Sequence, residues 1–353
     1  MRIVHVNLSK GFRGGERQTV ELARALSNAG IDQVVVCREE SPMIAELSSC
    51  QCQIHIVKNT LLSAFQPPLA PFYGNTLIHA HETRASQWAY LHNLKTNTPY
   101  LITRRIQKRP STRWFTRKIY MTASSIVSIS SSVASTMSSY LTDIGAEQTS
   151  SNVIPDTISE LPASASANSL RDQFPGKFLI GHVGALSIAE KGQDLIIAAA
   201  RELEADYPQL KFILIGDGKD HQQLKSRAAG LGNIVFLGFR TDIGNLLAGL
   251  DTFIFPSRHE GLGSSLLDAL SFDLPIIASD IPGITDIIRD RENGLLVSPA
   301  DSTGLCSAIK QLYNDSALRA RLAGNARESL RNFRPKIVAE QYLGIYRSVV
   351  SAQ

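Results

Sequence analysis

Short apolar runs alternate with stretches of helical periodicity along the 353 residues, and this alternation restricts the chain to a parallel α/β architecture. Runs that are apolar on both faces are typical of strands buried in a parallel sheet. Helices such as Glu16–Asn28 and Gln193–Leu203 occupy the intervening stretches. The predicted strands of the first half are Arg2–Leu8, Gln33–Arg38, Gln53–Lys58, Thr76–His81, Tyr100–Arg105, Ser125–Ser130 and Asn152–Pro155. Those of the second half are Phe178–Gly184, Lys211–Gly216, Asn233–Gly238, Asp251–Phe255, Pro275–Ser279 and Gly294–Val297.

A chain of this length is long for one hydrophobic core, so two domains are expected. The two halves are separated by residues Ser159 to Ser169, which are mostly small and polar and have no helical or strand periodicity, as is typical of a linker. We predict Rossmann-like domains over residues 1–160 and 176–334, a linker over 161–175, and a C-terminal helix over 335–353 that packs back on the N-terminal domain. The two doubly wound domains are expected to face each other across a cleft.

The composition excludes several classes of protein. An apolar fraction of 43% and a charged fraction of 19% describe an ordinary globular chain, not a disordered or coiled one. No apolar run approaches the roughly 18–20 residues that cross a bilayer, and the first residues enter a strand pattern without signal-peptide features. The cysteines form neither a disulfide framework nor a metal-ligand spacing (Cys37, Cys50, Cys52 and Cys306). We therefore expect a reducing compartment, the cytoplasm.

The positive charge is concentrated in one segment. Residues 83–142 contain nine Lys or Arg and no Asp or Glu, in a chain whose net charge is only +4. Mixed cations and aromatic rings suit an anionic acceptor or an anionic membrane surface. Nucleic acid is a rival partner, but no nucleic-acid-binding motif accompanies the segment, so none is expected; a plain solvated face is the other alternative. The residues that carry this prediction are Arg104, Arg105, Lys108, Arg109, Arg113 and Trp114.

Residues 256–268 combine two acids with a turn that favours anions. The segment leaves a predicted strand through Pro and Gly residues and enters an apolar-periodic helix. Amides at the start of such a helix bind phosphate well. Glu260 lies in the turn, and Asp268 lies eight residues later inside the helix. The segment thus offers an anion site and two carboxylates that can hold hydroxyls, and a sugar nucleotide carries both kinds of group.

Two features of the first half lie where open α/β sheets bind ligands. Gly14, Gly15 and Arg17 follow the first strand, where glycines allow close backbone approach and the helix start favours an anion. The loop is not a GxGxxG fingerprint, and a plain tight turn is the alternative. His79 and His81 share one face at the end of the fourth strand. Two donors without a third do not make a metal site, so no metal is expected. A sugar-contacting or proton-handling His81 is favoured over a core histidine.

In the second half, Lys191 follows the first strand and is placed to reach phosphates as a point charge. A cation is unfavourable beside the positive start of a helix, which favours function over a plain surface lysine. Gly216 and Gly238 end the next two strands and are expected to form backbone walls beside a nucleotide base.

Together these residues resemble the retaining GT-B glycosyltransferases of family four. The resemblance spans nearly the whole chain and is strongest from Lys177 to Pro299. The family's signature is Glu, seven residues, Glu; here Glu260 matches the first acid, and Asp268 stands at the second. Further matches are Gly14-Gly15-Glu16-Arg17, His81, Pro256-Ser257, Gly261-Leu262-Gly263, Pro275-Ile276-Ile277-Ala278-Ser279 and Gly294-Leu295-Leu296-Val297.

The resemblance implies an N-terminal domain that binds the acceptor and a C-terminal domain that binds the nucleotide sugar. It implies catalytic roles for Glu260 on the donor sugar, Lys191 on the diphosphate and His81 at the cleft. Asp268 would hold the ribose hydroxyls. The other predicted donor or nucleotide contacts are Gly14, Gly15, Arg17, Gly216, Gly238, Arg258, Gly261, Leu262, Gly263 and Ser264.

The chain departs from the family's pattern at two positions. Ala185 stands where the family usually has an Arg that pairs with the Lys on the diphosphate, and Asp268 is one methylene shorter than the usual Glu. Losing one charged donor from a leaving-group site costs about 3 kcal/mol when nothing replaces it. Arg258, Arg13 and Arg17 are candidate replacements.

The resulting hypothesis is a retaining, metal-independent hexosyltransferase of envelope polysaccharide or lipopolysaccharide synthesis, with UDP-sugar as the favoured donor. The acceptor is a glycan or phosphorylated glycolipid, and no cofactor is needed. A cytoplasmic enzyme attached to the inner face of the plasma membrane is expected if the basic segment binds lipid. A sugar-nucleotide 2-epimerase of the same fold and a catalytically silent binding scaffold are the alternatives. The sequence leaves the oligomeric state open.

Overall fold

The computed structural model describes residues 1–58, 61–65, 75–163 and 170–351, which fall into two compact units. Unit 1 comprises Met1–Thr157 and Asn332–Gln353, and unit 2 comprises Ile158–Arg331. Within the predicted linker, residues 164–169 lie outside the described residues, and a short helix begins at Leu170.

Unit 1 is built on a seven-stranded parallel sheet. Its strands are β1 (Arg2–Val6), β2 (Asp32–Arg38), β3 (Gln53–Val57), β4 (Thr76–Ala80), β5 (Tyr100–Arg104), β6 (Ser125–Ser128) and β7 (Ser150–Val153). They are arranged in the order β3-β2-β1-β4-β5-β6-β7. The order reverses beside β1, so the crevice of a doubly wound sheet opens between the ends of β1 and β4. In register, His5 on β1 lies next to His79 on β4.

Unit 2 contains a six-stranded parallel sheet. Its strands are β8 (Phe178–Val183), β9 (Leu210–Ile215), β10 (Ile234–Gly238), β11 (Thr252–Phe255), β12 (Ile276–Ser279) and β13 (Leu295–Val297), in the order β10-β9-β8-β11-β12-β13. Here the order reverses between β8 and β11. The prediction of two doubly wound parallel sheets is confirmed, and all thirteen predicted strands are present. The largest shift is at β7, a polar edge strand that begins at Ser150 instead of Asn152.

The helices of the described residues cover both faces of the sheets. They are α1 (Gly14–Asn28), α2 (Met43–Leu47), α3 (Thr83–Thr96), α4 (Trp114–Thr122), α5 (Ser131–Ile144), α6 (Leu170–Gln173), α7 (Ile188–Lys191), α8 (Gln193–Leu203), α9 (His221–Arg227), α10 (Ile243–Ala248), α11 (Ser264–Ser271), α12 (Ser302–Asn314), α13 (Ser316–Ser329) and α14 (Pro335–Ser351). Short 3₁₀ turns occur at Leu62–Phe65 and Arg331–Phe333. None of the described helices combines the length and apolar character of a membrane span.

The C-terminal helix α14 packs on unit 1. Its residues Val338, Tyr342 and Tyr346 share a hydrophobic cluster with Leu22 and Leu26 of α1. These residues recur every three to four positions, so a single helical face is buried. The Tyr346 side chain is fully buried, and its hydroxyl lies 2.7 Å from Nδ1 of His79. The helix therefore completes both the core and the polar centre of unit 1.

Candidate functional site

The loops after β8 and β11 meet at the carboxyl edge of the unit 2 sheet. The two strands are hydrogen-bonded neighbours, so their ends lie side by side at the point where the strand order reverses. The backbone amides of Arg258 and His259 both donate to the carbonyl of Glu190, at 2.8 and 3.2 Å. This contact ties the predicted phosphate-binding loop to the loop that carries Glu260.

Lys191 and Glu260 form an ion pair within this loop contact. The Lys191 Nζ atom donates to Oε2 of Glu260, and the side chains are only 20% and 12% exposed. The ammonium group also lies 5.3 Å from the ring centroid of Phe255. Glu260 Oε1 accepts from the amide of Gly261 at 3.2 Å. The structure thus brings together two of the predicted catalytic residues and holds each of them in place.

Gly192 allows the close approach of the two loops. Its φ of 66° is left-handed, and a Cβ at this position would overlap the carbonyl oxygen of Pro256. Glycine is the residue that adopts this conformation without steric cost. The sequence Lys191-Gly192 therefore positions the cation directly against the strand that leads to Glu260.

Arg258 stabilises the same contact from the other side. Its guanidinium donates to both carboxylate oxygens of Asp194, at 2.7 and 2.9 Å, and to the carbonyl of Ile188 at 2.7 Å. The bonds to Asp194 raise the pKa of Arg258. A bidentate pair of this kind fixes the side chain. The predicted contact of Arg258 with a diphosphate stays a prediction. It requires guanidinium N–H groups other than those that donate to Asp194 and to the Ile188 carbonyl.

The helix α11 begins directly after the Glu260 turn. Gly263 is its N-cap residue, with a φ of 86°, and Ser264 is its first residue. Leu262 and Asp268 are both buried, at 2% exposure. The turn thus places the backbone amides at the start of α11 close in sequence to the Glu260 carboxylate. Such amides are the donors that an anion site requires.

Three glycines at the ends of β8, β9 and β10 lie against one another. The amide of Gly216 donates to the carbonyl of Gly238 at 2.8 Å, and a Cβ on Gly216 would overlap the carbonyl oxygen of Gly184. Gly216 has a φ of 134°, a conformation that side chains rarely adopt. These glycines provide an edge of bare backbone at the end of the sheet.

In unit 1, three histidines form a buried cluster. His5, His79 and His81 are at most 3% exposed, and one ring nitrogen from each lies within 4.8 Å of the others. Burial lowers the pKa of His5 to about 4 and holds the pKa values of His79 and His81 well below 6.5. The sequence analysis did not predict His5. The signal that could have revealed it is its position on the first strand, whose neighbour in the sheet carries His79 on the same face.

The cluster's ring nitrogens are largely occupied by protein groups. Both nitrogens of His79 lie 2.7 Å from hydroxyls, those of Tyr346 and Thr103. His5 contacts His81 and Gln33. A metal ion at these three rings would have to replace such bonds, so the donor set does not favour a metal.

The predicted glycine loop and part of the basic segment lie beside His81. Helix α1 begins at Gly14, and Arg105 lies 3.8 Å from the Cβ position of Gly15. Arg105 donates to Asp156 at 3.0 Å and to the carbonyl of His81 at 3.1 Å. Gly15, His81 and Arg105 thus belong to one polar centre at the end of the sheet. Arg17, predicted from the same loop, lies in the first turn of α1.

The basic segment divides into a buried part and an exposed part. Arg104 is 7% exposed and donates to the carbonyl of Lys108, and the Arg105 side chain is 12% exposed. The prediction that Arg104 and Arg105 belong to a surface for membranes is therefore wrong, because their charges serve contacts inside unit 1. Of the residues named in the prediction, those that are exposed are Lys108, Arg109, Arg113 and Trp114, and Ile106 beside them is exposed too.

Comparisons with known proteins show what the chain is similar to. Residues 171–329 match the family model described as "Glycosyl transferases group 1". The putative glycosyltransferase EpsD of Bacillus subtilis is 32% identical over 44% of this chain and 42% of its own length. The lipopolysaccharide core biosynthesis glycosyltransferase LpsE of Rhizobium meliloti is 32% identical over 46% of this chain and 47% of its own. The chain thus spans about half the length of the curated relatives it matches.

Solved structures match over the whole chain. Anabaena HepE in complex with UDP and glucose superposes with a TM-score of 0.80 and 22% identity, covering 99% of this chain and 100% of that one. The pneumococcal O-GlcNAc transferase GtfA, in complex with UDP and GlcNAc, gives 0.78 at 13% identity, with 99% of each chain covered. The two parallel-sheet units therefore have the GT-B fold.

Proposed function

We propose that this protein is a glycosyltransferase that moves a hexose-type sugar from a nucleoside diphosphate donor, with UDP-sugars favoured. The observation that carries the proposal is the ion pair between Lys191 and Glu260, next to the start of α11. It lies in the part of the chain that matches the glycosyltransferase model. Structures of the same fold hold UDP and a sugar, which supports the choice of donor.

Each group has a distinct task in the proposed reaction. Breaking the anomeric C–O bond places negative charge on the leaving diphosphate, and the Lys191 ammonium and the α11 amides supply fixed positive charge there. Glu260 holds a hydroxyl of the donor sugar, and the buried Asp268 holds the ribose hydroxyls. These groups supply the required charge without a metal ion. In the retaining course that we propose, the leaving phosphate takes the proton of the acceptor hydroxyl on the same face of the sugar.

We propose that the acceptor is a glycan or a phosphorylated glycolipid of envelope or lipopolysaccharide synthesis, bound by unit 1. Trp114 and Ile106 are 68% and 52% exposed and lie among exposed cations in sequence. Apolar side chains flanked by Lys and Arg suit the interface of an anionic membrane. The enzyme would then work at the cytoplasmic face of the plasma membrane.

The membrane proposal is tested by co-sedimentation with vesicles of phosphatidylglycerol and phosphatidylcholine. Trp114→Ala combined with Lys108→Glu and Arg113→Glu should strongly reduce the bound fraction. The control is Lys58→Glu, an exposed cation of unit 1 that lies outside the basic segment. Equal binding of both variants would remove the membrane role and leave the donor site unaffected.

The donor proposal is tested by a thermal-shift screen across UDP-, GDP- and ADP-sugars, because a ligand of the folded state raises its melting temperature. One of the three nucleotides should stabilise the wild type, and Lys191→Ala should remove the shift. Lys310→Ala is a matched control, since Lys310 pairs with Glu202 at an exposed ion pair of the same unit. No shift with any of the three would contradict the proposal.

A further inference from the structure

Three of the four cysteines lie together near the β3 edge of unit 1. Cys37 on β2 belongs to a hydrophobic cluster with Met43 and Leu47, and Cys50 and Cys52 pack against the same cluster from the turn between α2 and β3. Cys37 is fully buried, whereas Cys50 and Cys52 are only half-buried. The turn therefore carries two neighbouring, partly exposed cysteines that the proposed transfer reaction does not use.

The backbone between α2 and β3 folds these two cysteines toward each other. The Cys50 amide donates to the carbonyl of Leu47 at 2.9 Å, and the Cys52 amide donates to the carbonyl of Cys50 at 2.9 Å. A bond from an amide to the carbonyl two residues before it closes a three-residue turn. Such a turn shortens the span between the two Cα atoms below the roughly 7 Å of an extended chain. Because a disulfide needs a span of about 4.4–6.8 Å, the turn suits a bond between the two sulfurs.

The two thiols also form a hydrogen bond, in which Cys52 donates to the Cys50 sulfur. This bond lowers the pKa of Cys50 to about 7 against the effect of burial, and the Arg24 guanidinium adds a smaller contribution. The same bond, together with burial, raises the pKa of Cys52. The pair thus combines a thiol that ionises near neutral pH, as a nucleophile requires, with a neighbour that keeps its proton.

We propose that Cys50 and Cys52 form a modification site at which hydrogen peroxide produces an intramolecular disulfide. In a reducing compartment such a bond is transient and responds to oxidants. Both thiols and the turn that joins them lie in unit 1. The inference therefore does not depend on the proposed glycosyltransferase function or on the donor site of unit 2.

The oxidation proceeds in two steps. The Cys50 thiolate attacks one oxygen of hydrogen peroxide, the O–O bond breaks, and the products are a sulfenic acid on Cys50 and hydroxide, which takes up the proton that Cys50 had released. The Cys52 sulfur then attacks the Cys50 sulfur, the S–O bond breaks, and water leaves with the Cys52 proton. Two thiols lose two electrons and two protons, and one peroxide is reduced to two molecules of water.

Plain packing is the competing explanation, since a free cysteine in a core behaves as a small apolar side chain. That explanation fits Cys37 and Cys306, which are fully buried and whose pKa values burial raises to about 11 and about 12. Cys50 and Cys52 differ from both because they are partly exposed and bonded to each other. Packing alone gives no reason for that difference.

A metal ion is the other explanation for adjacent thiols. Among the described residues, the sulfur atoms of Cys37, Cys50 and Cys52 do not all lie within 4.8 Å of one another, as a shared ion would require. The remaining two thiols fill only half of a tetrahedral zinc site. The geometry therefore favours a dithiol pair over a metal centre.

The test treats the reduced full chain with a small excess of hydrogen peroxide, alkylates the remaining thiols after denaturation and maps tryptic peptides by mass spectrometry. Trypsin leaves both cysteines in the peptide 39–58 and places Cys37 in the peptide before it. The peptide 39–58 should be unalkylated and lighter by two hydrogen atoms, and dithiothreitol should reverse this. Full alkylation of the peptide, a link to Cys37, a disulfide between two chains, or sulfinic acid without a disulfide would overturn the proposal.

Single variants separate the roles of the two thiols. In Cys52→Ser the hydroxyl can still donate to Cys50 but cannot form a disulfide, so peroxide should leave a sulfenic acid on Cys50 that dimedone traps. Cys50→Ser should react about tenfold more slowly, because its remaining thiol keeps its proton. The control is Cys306→Ala in unit 2, which should form the disulfide as the wild type does. Equal oxidation rates in the two serine variants, or loss of the disulfide in the control, would contradict the proposal.

Discussion

The Lys191 ammonium group is paired with the Glu260 carboxylate. The residue proposed to bind the diphosphate and the residue proposed to bind the donor sugar therefore restrain each other before any donor binds. The pair is mostly buried and joins the last residue of α7, which follows β8, to the turn after the neighbouring strand β11. A carboxylate this close competes with a diphosphate for the same cation. Donor binding must therefore redistribute the contacts of Lys191, and the two residues should respond differently to substitution.

Lys191→Ala should weaken UDP and UDP-sugar alike, because both carry the diphosphate. Glu260→Ala should weaken only the sugar nucleotide and leave UDP bound equally or more tightly, since it releases the Lys191 ammonium. Each of the two substitutions removes a fixed charge from the site and should also reduce the rate of sugar transfer by about 10²–10³-fold. Isothermal titration with both ligands measures the split. A parallel loss of UDP affinity in both variants would contradict the separate roles.

Asp268 should determine recognition of the ribose. Its carboxylate is buried in α11, the helix that begins directly after the Glu260 turn. We expect the wild type to bind UDP about tenfold better than 2′-deoxy-UDP, and Asp268→Asn to reduce that preference. Asp268→Glu, which keeps a carboxylate at this position, should retain the preference. If the preference is unchanged in Asp268→Asn, this residue does not hold the ribose.

Gly192→Ala should cost stability beyond the usual price of a left-handed residue, because its Cβ would overlap the Pro256 carbonyl. The matched control is Gly230→Ala, which has a φ of 84° but open space around its Cβ position. We expect about 1–2 kcal/mol for the control and about 3 kcal/mol for Gly192→Ala, measured by urea unfolding. Equal losses would show that the close approach of the loops carries no energetic weight.

Stability should fall as the pH is lowered, because buried histidines cannot take up protons in the folded state. Burial lowers the pKa values of His5 in unit 1 and His182 in unit 2 from 6.5 to about 4. Between these values the unfolded chain binds more protons than the folded one, so the folded state loses stability as pH falls through that window. Across that window each of the two histidines changes the free energy of unfolding by on the order of 3 kcal/mol. Unfolding free energies at pH about 7 and about 4.5 check this; His182→Gln should flatten the dependence.

The strands were predictable because each is an apolar run bounded by Gly, Pro or polar residues, and the hydrophobic effect acts on that pattern locally. Lys191 and Glu260 were each predictable as site residues because both follow strands of one parallel sheet. Their direct pairing was not, since it depends on the left-handed Gly192 and on the bond from Arg258 to Asp194. His5 was missed because a histidine inside an apolar strand gives no local signal until its neighbour in the sheet is known.

The basic segment shows the opposite failure. The concentration of positive charge predicted that Arg104 and Arg105 belong to a surface for an anionic acceptor or membrane, but Arg104 ends strand β5, and Arg105 follows it with its guanidinium on Asp156. Sequence counts charges without their partners, and Asp156 lies 51 residues away from Arg105. Of the residues named in that prediction, Lys108, Arg109, Arg113 and Trp114 are exposed.

The most direct test of the proposed sugar transfer is mass-spectrometric analysis of products from a UDP-hexose incubated with a truncated lipopolysaccharide or a phosphorylated glycolipid. We expect release of UDP and an acceptor heavier by one hexose; this product should be absent with Glu260→Ala and present with Lys310→Ala. Conversion of the UDP-hexose to an isomer without any change in the acceptor would identify an epimerase instead. A bound but unaltered donor would contradict catalysis and indicate a binding scaffold.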